Sequence, residues 1–501
     1  MALLPHASAH NKNCAARTST DGKPQRPVNF FDWSPSAPAV VIDLNAPGAL
    51  SWLLDRYGSR NPSVLRAVLA HAYDLGAQGA VLEFRYIDAD WRSEHARFYA
   101  GTFRRYPSIA HRLHFFAESI PNDAIDRQDS IGFANLGYLG YVVLRPVPAA
   151  PVGRAMLVPP ATHDDAVQCT STDIVNLFGE QLSVTGAPFV AQDAMLLRCA
   201  HATLWMVAYQ QHHQFGGPRV LPADLAAATE GSGLGRSLPS EGLDLYQMTA
   251  ASEAVGLPPV VYNLADPPEG ETLPRLACRY LNSGLPVIVT GGQHAFVLVG
   301  YQREDTDGPA ERIVFLRHDD ESGPYQRVEN FAFDYYSPWE FLFIPLPAKL
   351  YLPGEDAEAI GASLLDAALK NDPSAEAAQI RRRLASHEVS FRSTAMLSNT
   401  FKVDLTSRSI PEPTASMYRR MQLSRWIWVI EAVDRDARNH GRPSVLAEAL
   451  VDATDHSRDL RVLATRTPTE MTLWDPDRDE TRRRSGLPVL PPLRSVSPRD
   501  R

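Results

Sequence analysis

Apolar and polar positions change period repeatedly along the chain, and each change marks an element. "APAVVIDLN" is a short β-rich run that predicts a first strand. "NPSVLRAVLAHAYDLG" switches to a helical period, opened by Asn61 and Pro62 and stopped by Gly76. Alternation returns in "AVLEFRYID", and "WRSEHARFYAGTFRRY" is amphipathic at helical spacing. "GYLGYVVLRPVP" reads as a strand closed by prolines. These elements predict an α+β unit over residues 28–160. The prolines of "RPVPAAPVGRAMLVPPATHDD" mark its exit.

In the next stretch, residues 161–350, helices precede strands. "QDAMLLRCAHATLWMVAYQ" sets positions 196, 199, 200, 203 and 207 on one helical face. "PADLAAATEG" and "GLDLYQMTAASEAVGL" predict two more helices. "GLPVIVTGGQHAFVLVGY" has two β-rich runs about a Gly-Gly-Gln turn, which predicts a hairpin whose second strand opens on His294. "RIVFLRHDDESGPY" predicts a strand ending in His318, Asp319 and Asp320, followed by a Gly-Pro turn.

A third unit spans residues 351–480. It has a helix in "DAEAIGASLLDAALKND" and strands in "VSFRSTAMLSNTFKVDL", "SRWIWVIEAVD" and "VLAEALVDATD". Alternation puts both tryptophans of "RWIWVIEA" on one face. The polar residues 1–27 and the Arg/Pro/Ser-rich residues 481–501 predict a disordered leader and tail. The fold class is α+β: a central domain flanked by two α+β domains.

Composition narrows the function. The chain has 501 residues and a net charge of −9, which argues against a nucleic-acid partner. No apolar run reaches ~18 residues, so no membrane span is expected. The N-terminal residues hold no apolar core of signal-peptide length. The four cysteines, Cys14, Cys169, Cys199 and Cys278, form no Cys-x-x-Cys pair and are too few for a disulfide scaffold. A cytoplasmic, reducing compartment is therefore expected. His212 and His213 are adjacent and point to different faces of one helix. With no zinc-type spacing present, no metal and no cofactor are expected.

Four residues fall in an order that suggests chemistry: Gln192, Cys199 on a helix, His294 on a strand, and an aspartate ending the next strand. Singly, each has a plain structural role. Cysteine is a small buried hydrophobe, and histidine and aspartate commonly hydrogen-bond within turns. Together, in "QDAMLLRCAHATLWMVAY", "GLPVIVTGGQHAFVLVGY" and "RHDDESGP", the pattern resembles the papain-like cysteine peptidase fold. More narrowly, it resembles the C39-like peptidase group of the bacteriocin-processing type. The resemblance covers about residues 185–330.

That resemblance implies a papain-like central domain whose helix bears the cysteine and whose antiparallel sheet bears the histidine and aspartate. Cys199 would be the nucleophile, His294 the base, and an aspartate the group that orients the imidazole. Gln192 and the Cys199 backbone N–H would form the oxyanion hole. Two departures stand out. Cys199 is followed by Ala200 and His201 where the group has glycine, and the Gln192–Cys199 spacing is longer than the group's. Counted back from Gly323, Asp319 fits the C39-like spacing and Asp320 the shorter spacing of papain. Asp319 is the expected acid. Because neighbours on a strand leave on opposite faces, only one of the two should face His294.

The implied activity is cleavage of a peptide or isopeptide bond through a thioester acyl-enzyme, on a peptide or protein substrate. An acyl transferase with the same triad, and a degenerate scaffold that binds or regulates, remain alternatives. No GxxxxGK[ST] loop accompanies the triad, so the resemblance points to a free-standing enzyme rather than an exporter. The flanking domains would select the substrate or a protein partner. Cys169, Cys278 and the run "FAFDYYSPWEFLF" are expected in the core.

Overall fold

In a computed structural model of the chain, the residues described are 37–58, 60–121, 125, 132–162, 166–193, 195, 198–229, 242–291, 294–304, 312–328, 339–408, 410–439, 442–454, 462–475, 480–487, 489 and 493–494. The expected leader, 1–27, lies outside them. The described residues form a mixed α+β protein. The chain divides into two units: residues 1–155 with 174–184, and residues 156–173 with 185–501.

The first unit is built on a seven-stranded sheet. Its spatial order is Ala39–Asp43, Gly79–Tyr86, Ala110–Phe116, Tyr138–Leu144, Val152–Leu157, Glu180–Phe189, Ser171–Leu177. Residues 174–184 belong here although they follow the proline-rich exit. Val175, Leu177, Leu182 and Val184 alternate inward, and Leu177 and Leu182 join a core with Val81 and Phe116. The helix Ser63–Asp74 starts where Asn61 Oδ1 accepts from the Ser63 amide at 3.3 Å. It stops before Gly76, whose φ of 83° favours glycine. The helix expected over "WRSEHARFYAGTFRRY" is shorter, Ala89–Arg97. Tyr99 then folds back onto Trp91, with ring centroids 5.1 Å apart, and a 3-10 turn follows.

The second unit holds two sheets. One runs Gly323–Val328, Arg312–Asp319, His294–Glu304, Val287–Gly291, Phe341–Pro345, Pro259–Asn263, with Val167–Gln168 pairing against His294–Glu304. The other runs Val389–Leu397, Trp426–Asn439, Arg442–Asp452, Val462–Arg466, Met471–Asp475, Glu480–Arg484, with Leu493–Arg494 against Arg442–Asp452. The boundary expected near residue 350 lies inside this unit. One core joins Leu276, Leu281 and Phe296 to Leu365, Trp426 and Trp428. The Trp428 indole also donates to the Leu352 carbonyl at 2.9 Å.

The tryptophan strand explains why two cores meet here. Trp426, Trp428 and Ile430 enter the first core, whereas Ile427, Val429 and Val433 enter a second one on the other face. Alternation is intact, but both faces are apolar because helices cover each.

Two expectations need correction. "VSFRSTAMLSNTFKVDL" is not one strand. It ends at Leu397 and becomes the helix Ser398–Asp404, which lets Phe401 and then Leu405 reach the second core. The tail from 481 is not disordered throughout. Glu480–Arg484 is a strand, and Arg483 is pinned by Glu470 through a two-nitrogen ion pair at 3.0 and 2.6 Å.

Candidate functional site

The helix Cys199–Phe215 begins at the cysteine itself. Arg198 precedes it in an extended conformation (φ −103°, ψ 174°), and no side chain caps this end. The positive end of the helix dipole therefore lies at Cys199. The helix is not amphipathic as expected. Residues 200–211 are buried on nearly every side. Strand His294–Glu304 packs along it, and helices Pro222–Ala228 and Leu245–Ala254 cover it elsewhere. Leu196, expected on its apolar face, lies outside the described residues.

The hairpin forms as the sequence predicts: Thr290 pairs with Ala295 and Gly291 with His294. Its turn residues 292–293 lie outside the described residues. On the next strand Val297 pairs with His318. Alternation from that pair sets His294 and Asp319 on the same face, close enough for their side chains to meet. They do so: His294 Nε2 lies 3.3 Å from Asp319 Oδ2, with the His294 side chain 26% exposed. The same imidazole hydrogen-bonds the Cys199 side chain. With Nε2 turned to Asp319, Nδ1 is the ring nitrogen left for the sulfur.

The electrostatics follow from these contacts. The hydrogen bond to Asp319, then the one to Cys199, raise the His294 pKa to about 10 against the opposing effect of burial. Burial would push the Asp319 carboxyl up. The His294 hydrogen bond and charge, the Glu321 amide and Arg317 outweigh it and hold Asp319 below the usual carboxylate range. Its other oxygen, Oδ1, accepts from the Glu321 and Ser322 amides at 3.0 and 3.2 Å. The turn thereby fixes the carboxylate, and Gly323 (φ 121°) brings the chain back to pair with Asp319.

Asp320 overturns one expectation. Ligand atoms of His294, Asp319 and Asp320 all lie within 4.8 Å of one another, so both aspartates face the imidazole. Strand alternation ends at Asp319, and Asp320 already belongs to the turn, where the rule of opposite faces no longer applies. Asp320 is 1% exposed, and no other described residue hydrogen-bonds either carboxylate oxygen. Burial drives its pKa up to about 7; the His294 charge and Asp320's own backbone amide oppose this, and Asp319 and Glu321 reinforce it.

Gln192 is placed differently from a ready oxyanion donor. Its Nε2 donates to Glu321 Oε1 at 2.5 Å, in the turn that follows the two aspartates. His201 is buried, and burial lowers its pKa to about 4. His212 donates from Nδ1 to the Gly217 carbonyl at 2.6 Å, closing the helix, and His213 beside it is exposed. Cys169 and Cys278 are buried, as expected. In the aromatic run, residues 331–338 lie outside the described residues.

Two neighbours of the site escaped the sequence reading. Arg317 Nη2 lies 3.6 Å from Asp319 Oδ2. Two residues before Asp319 on the same strand, it shares that face, so the alternation itself held the signal. Trp339 stacks edge-on to Phe296 at 4.7 Å and lies 6.4 Å from the His294 ring. It was expected in the core, and only the folded sheet brings it beside the imidazole.

This arrangement can pass a proton from a thiol to an imidazole held by a carboxylate. Among the described residues, His294, Asp319 and Asp320 are also the group of three close enough to share a metal ion. No helix among them is long and apolar enough to cross a membrane. Compared with protein families, with curated proteins and with solved structures, the chain finds no match.

Proposed function

We propose that the protein is a thiol-dependent amide hydrolase, a cysteine peptidase of papain-like and C39-like type, acting on a peptide or isopeptide bond. The observation that carries this reading is the His294 imidazole, hydrogen-bonded on one side to Asp319 at 3.3 Å and on the other to the Cys199 side chain at a helix start. His294 takes the thiol proton through Nδ1, and the Cys199 sulfur attacks the substrate carbonyl. The C–N bond then breaks as His294 returns its proton to the leaving amine, which leaves a thioester. Water, deprotonated by the same imidazole, hydrolyses the thioester. Asp319 stays ionised throughout and holds the ring by Nε2.

The oxyanion needs donors placed for it, each worth ~3 kcal/mol. The Cys199 backbone N–H at the helix start is one. Gln192 serves as the second only by exchanging Glu321 for the substrate. An acyl transferase would use the same thioester with an amine in place of water. Among the described residues, Cys169, Cys199 and Cys278 are in no disulfide, which fits a reducing, cytoplasmic setting. By elimination, the flanking regions, 28–160 and 351–480, select the substrate or a protein partner.

The test is selective alkylation. Wild type and His294→Ala are treated with iodoacetamide at pH 6 and read by mass spectrometry. Labelling at Cys199 that disappears in His294→Ala supports the reading. Labelling unaffected by His294→Ala refutes it. Adding hydroxylamine during turnover then tests for the thioester that both outcomes share: hydroxamate forms at the expense of hydrolysis where an acyl-enzyme is on the path.

A further inference from the structure

A carboxylate buried without a partner is costly, and Asp320 is such a group. It is 1% exposed, and no other described residue hydrogen-bonds either oxygen, yet it sits against a second carboxylate and an imidazole. Asp319, by contrast, is held by the amides of the two residues that follow it in the turn, Glu321 and Ser322. Arg317 approaches Asp319 but no ion pair joins it to Asp320 among the described residues. The His294 imidazole is the group that faces both carboxylates, and an ion held on its Nε2 would bring a divalent charge to the same place.

The distances suit a metal ion. Four ligands at ~2.1 Å around a tetrahedral ion stand ~3.4 Å apart, ligand to ligand. His294 Nε2 and Asp319 Oδ2 are 3.3 Å apart, one such edge as they stand. Asp320 completes a face with both others inside 4.8 Å. One imidazole and two carboxylates suit a divalent transition ion, with water in the remaining position.

We propose that His294 Nε2, Asp319 and Asp320 form a binding site for a divalent transition ion of the Zn2+ type, and that this ion switches off the thiol. The binding claim stands on the geometry alone; the switch rests on the proposed hydrolase reading. The chemistry of the switch is direct. A metal on Nε2 occupies that nitrogen's lone pair, so the ring carries a single proton, on Nδ1. In that state His294 donates to Cys199 and cannot accept the thiol proton. The sulfur lies across the ring from the ion and is not among its ligands.

The test uses the full chain, stripped with chelator and titrated with Zn2+ in a calorimeter. Wild type should bind one ion with a micromolar or tighter Kd. Cys199→Ala should bind within about threefold of wild type, and Asp320→Asn should bind at least tenfold more weakly. X-ray absorption on the wild-type Zn2+ complex needs no variant, so it decides even where Asp320→Asn fails to fold. It should show nitrogen and oxygen neighbours at ~2.0–2.1 Å and none at the ~2.3 Å of a thiolate sulfur. A sulfur neighbour, loss of binding in Cys199→Ala, or no binding below millimolar Zn2+ would each overturn the site. Saturating Zn2+ should also slow iodoacetamide labelling of Cys199 at least tenfold in wild type. If the ion binds as described and labelling is unchanged, the switch is refuted and the site stands. If metal-free Cys199 is inert to begin with, the hydrolase reading fails and the binding data still decide the site.

Discussion

Replacing Asp320 with asparagine should make the protein more stable at alkaline pH, as expected where a functional cluster holds a destabilising buried charge. The folded-state pKa of Asp320 is raised from 3.8 to about 7, burial being the largest cause. A carboxyl raised in this way favours folding only in its protonated form. Its cost is absent below pH ~4, grows as pH rises, and is complete above pH ~7. At ~1.4 kcal/mol per unit the full penalty is about 4 kcal/mol. At pH 5 little more than a third of it has developed, so about 3 kcal/mol separates pH 5 from pH 8. Asparagine keeps the shape and removes the titration. Whatever its amide costs is the same at both values and cancels in the difference. Hydrogen exchange in the peptide covering 312–328, with chelator present, reads the local stability. The wild-type to variant ratio of exchange rates should rise roughly 100-fold between pH 5 and pH 8, the equivalent of that difference. A ratio that does not change with pH would mean that Asp320 is not a buried, unpaired acid, and the reasoning about the site would fall with it.

Asp319→Ala should cut iodoacetamide labelling of Cys199 at pH 6 by more than tenfold, and by more than Asp320→Ala does; the reverse ranking would assign the orienting role to Asp320. Protonated His294 contributes stability that is complete below pH 6.5 and is lost as pH rises through about 10. Melting temperatures of wild type and His294→Gln should therefore converge between pH 6.5 and 10.5, and parallel curves would contradict the pair. Arg408→Met should cost about 3–5 kcal/mol in urea unfolding, because Glu431 and Glu448, each 1% exposed, lose their shared guanidinium at 3.1 and 2.5 Å; a change under 1 kcal/mol would show that the carboxylates find other partners. Cys199→Ala should fold with a loss of ~1 kcal/mol for one small cavity, so failure to fold would make the cysteine structural.

What the sequence revealed about the site, and what it hid, divides along one physical line. Period and turn chemistry act over a few residues, and the parts of the site that depend on them were readable. His294 opens its strand, Cys199 heads its helix, and Asp319 ends the next strand, because each is set by neighbours within its own segment. The same logic failed one residue further on. The rule that 319 and 320 point apart holds only while the backbone stays extended, and the turn made by the Asp319 side chain with the Glu321 and Ser322 amides ends that at once. The contacts that cross the expected domain limits were hidden for the complementary reason. Prolines at 145–160 look like a linker, but strand 180–189 returns past them to the first unit's sheet. Near 350 a plausible boundary hides the Trp428–Leu352 hydrogen bond and a core shared from both sides. Such contacts span tens of residues and leave no local period. Asp320 belongs to this second class. Nothing in "RHDDESGP" announces that one aspartate is paired and its neighbour stranded. That asymmetry arises only when the hairpin brings His294 against the turn, and it is the asymmetry on which the proposed metal switch depends.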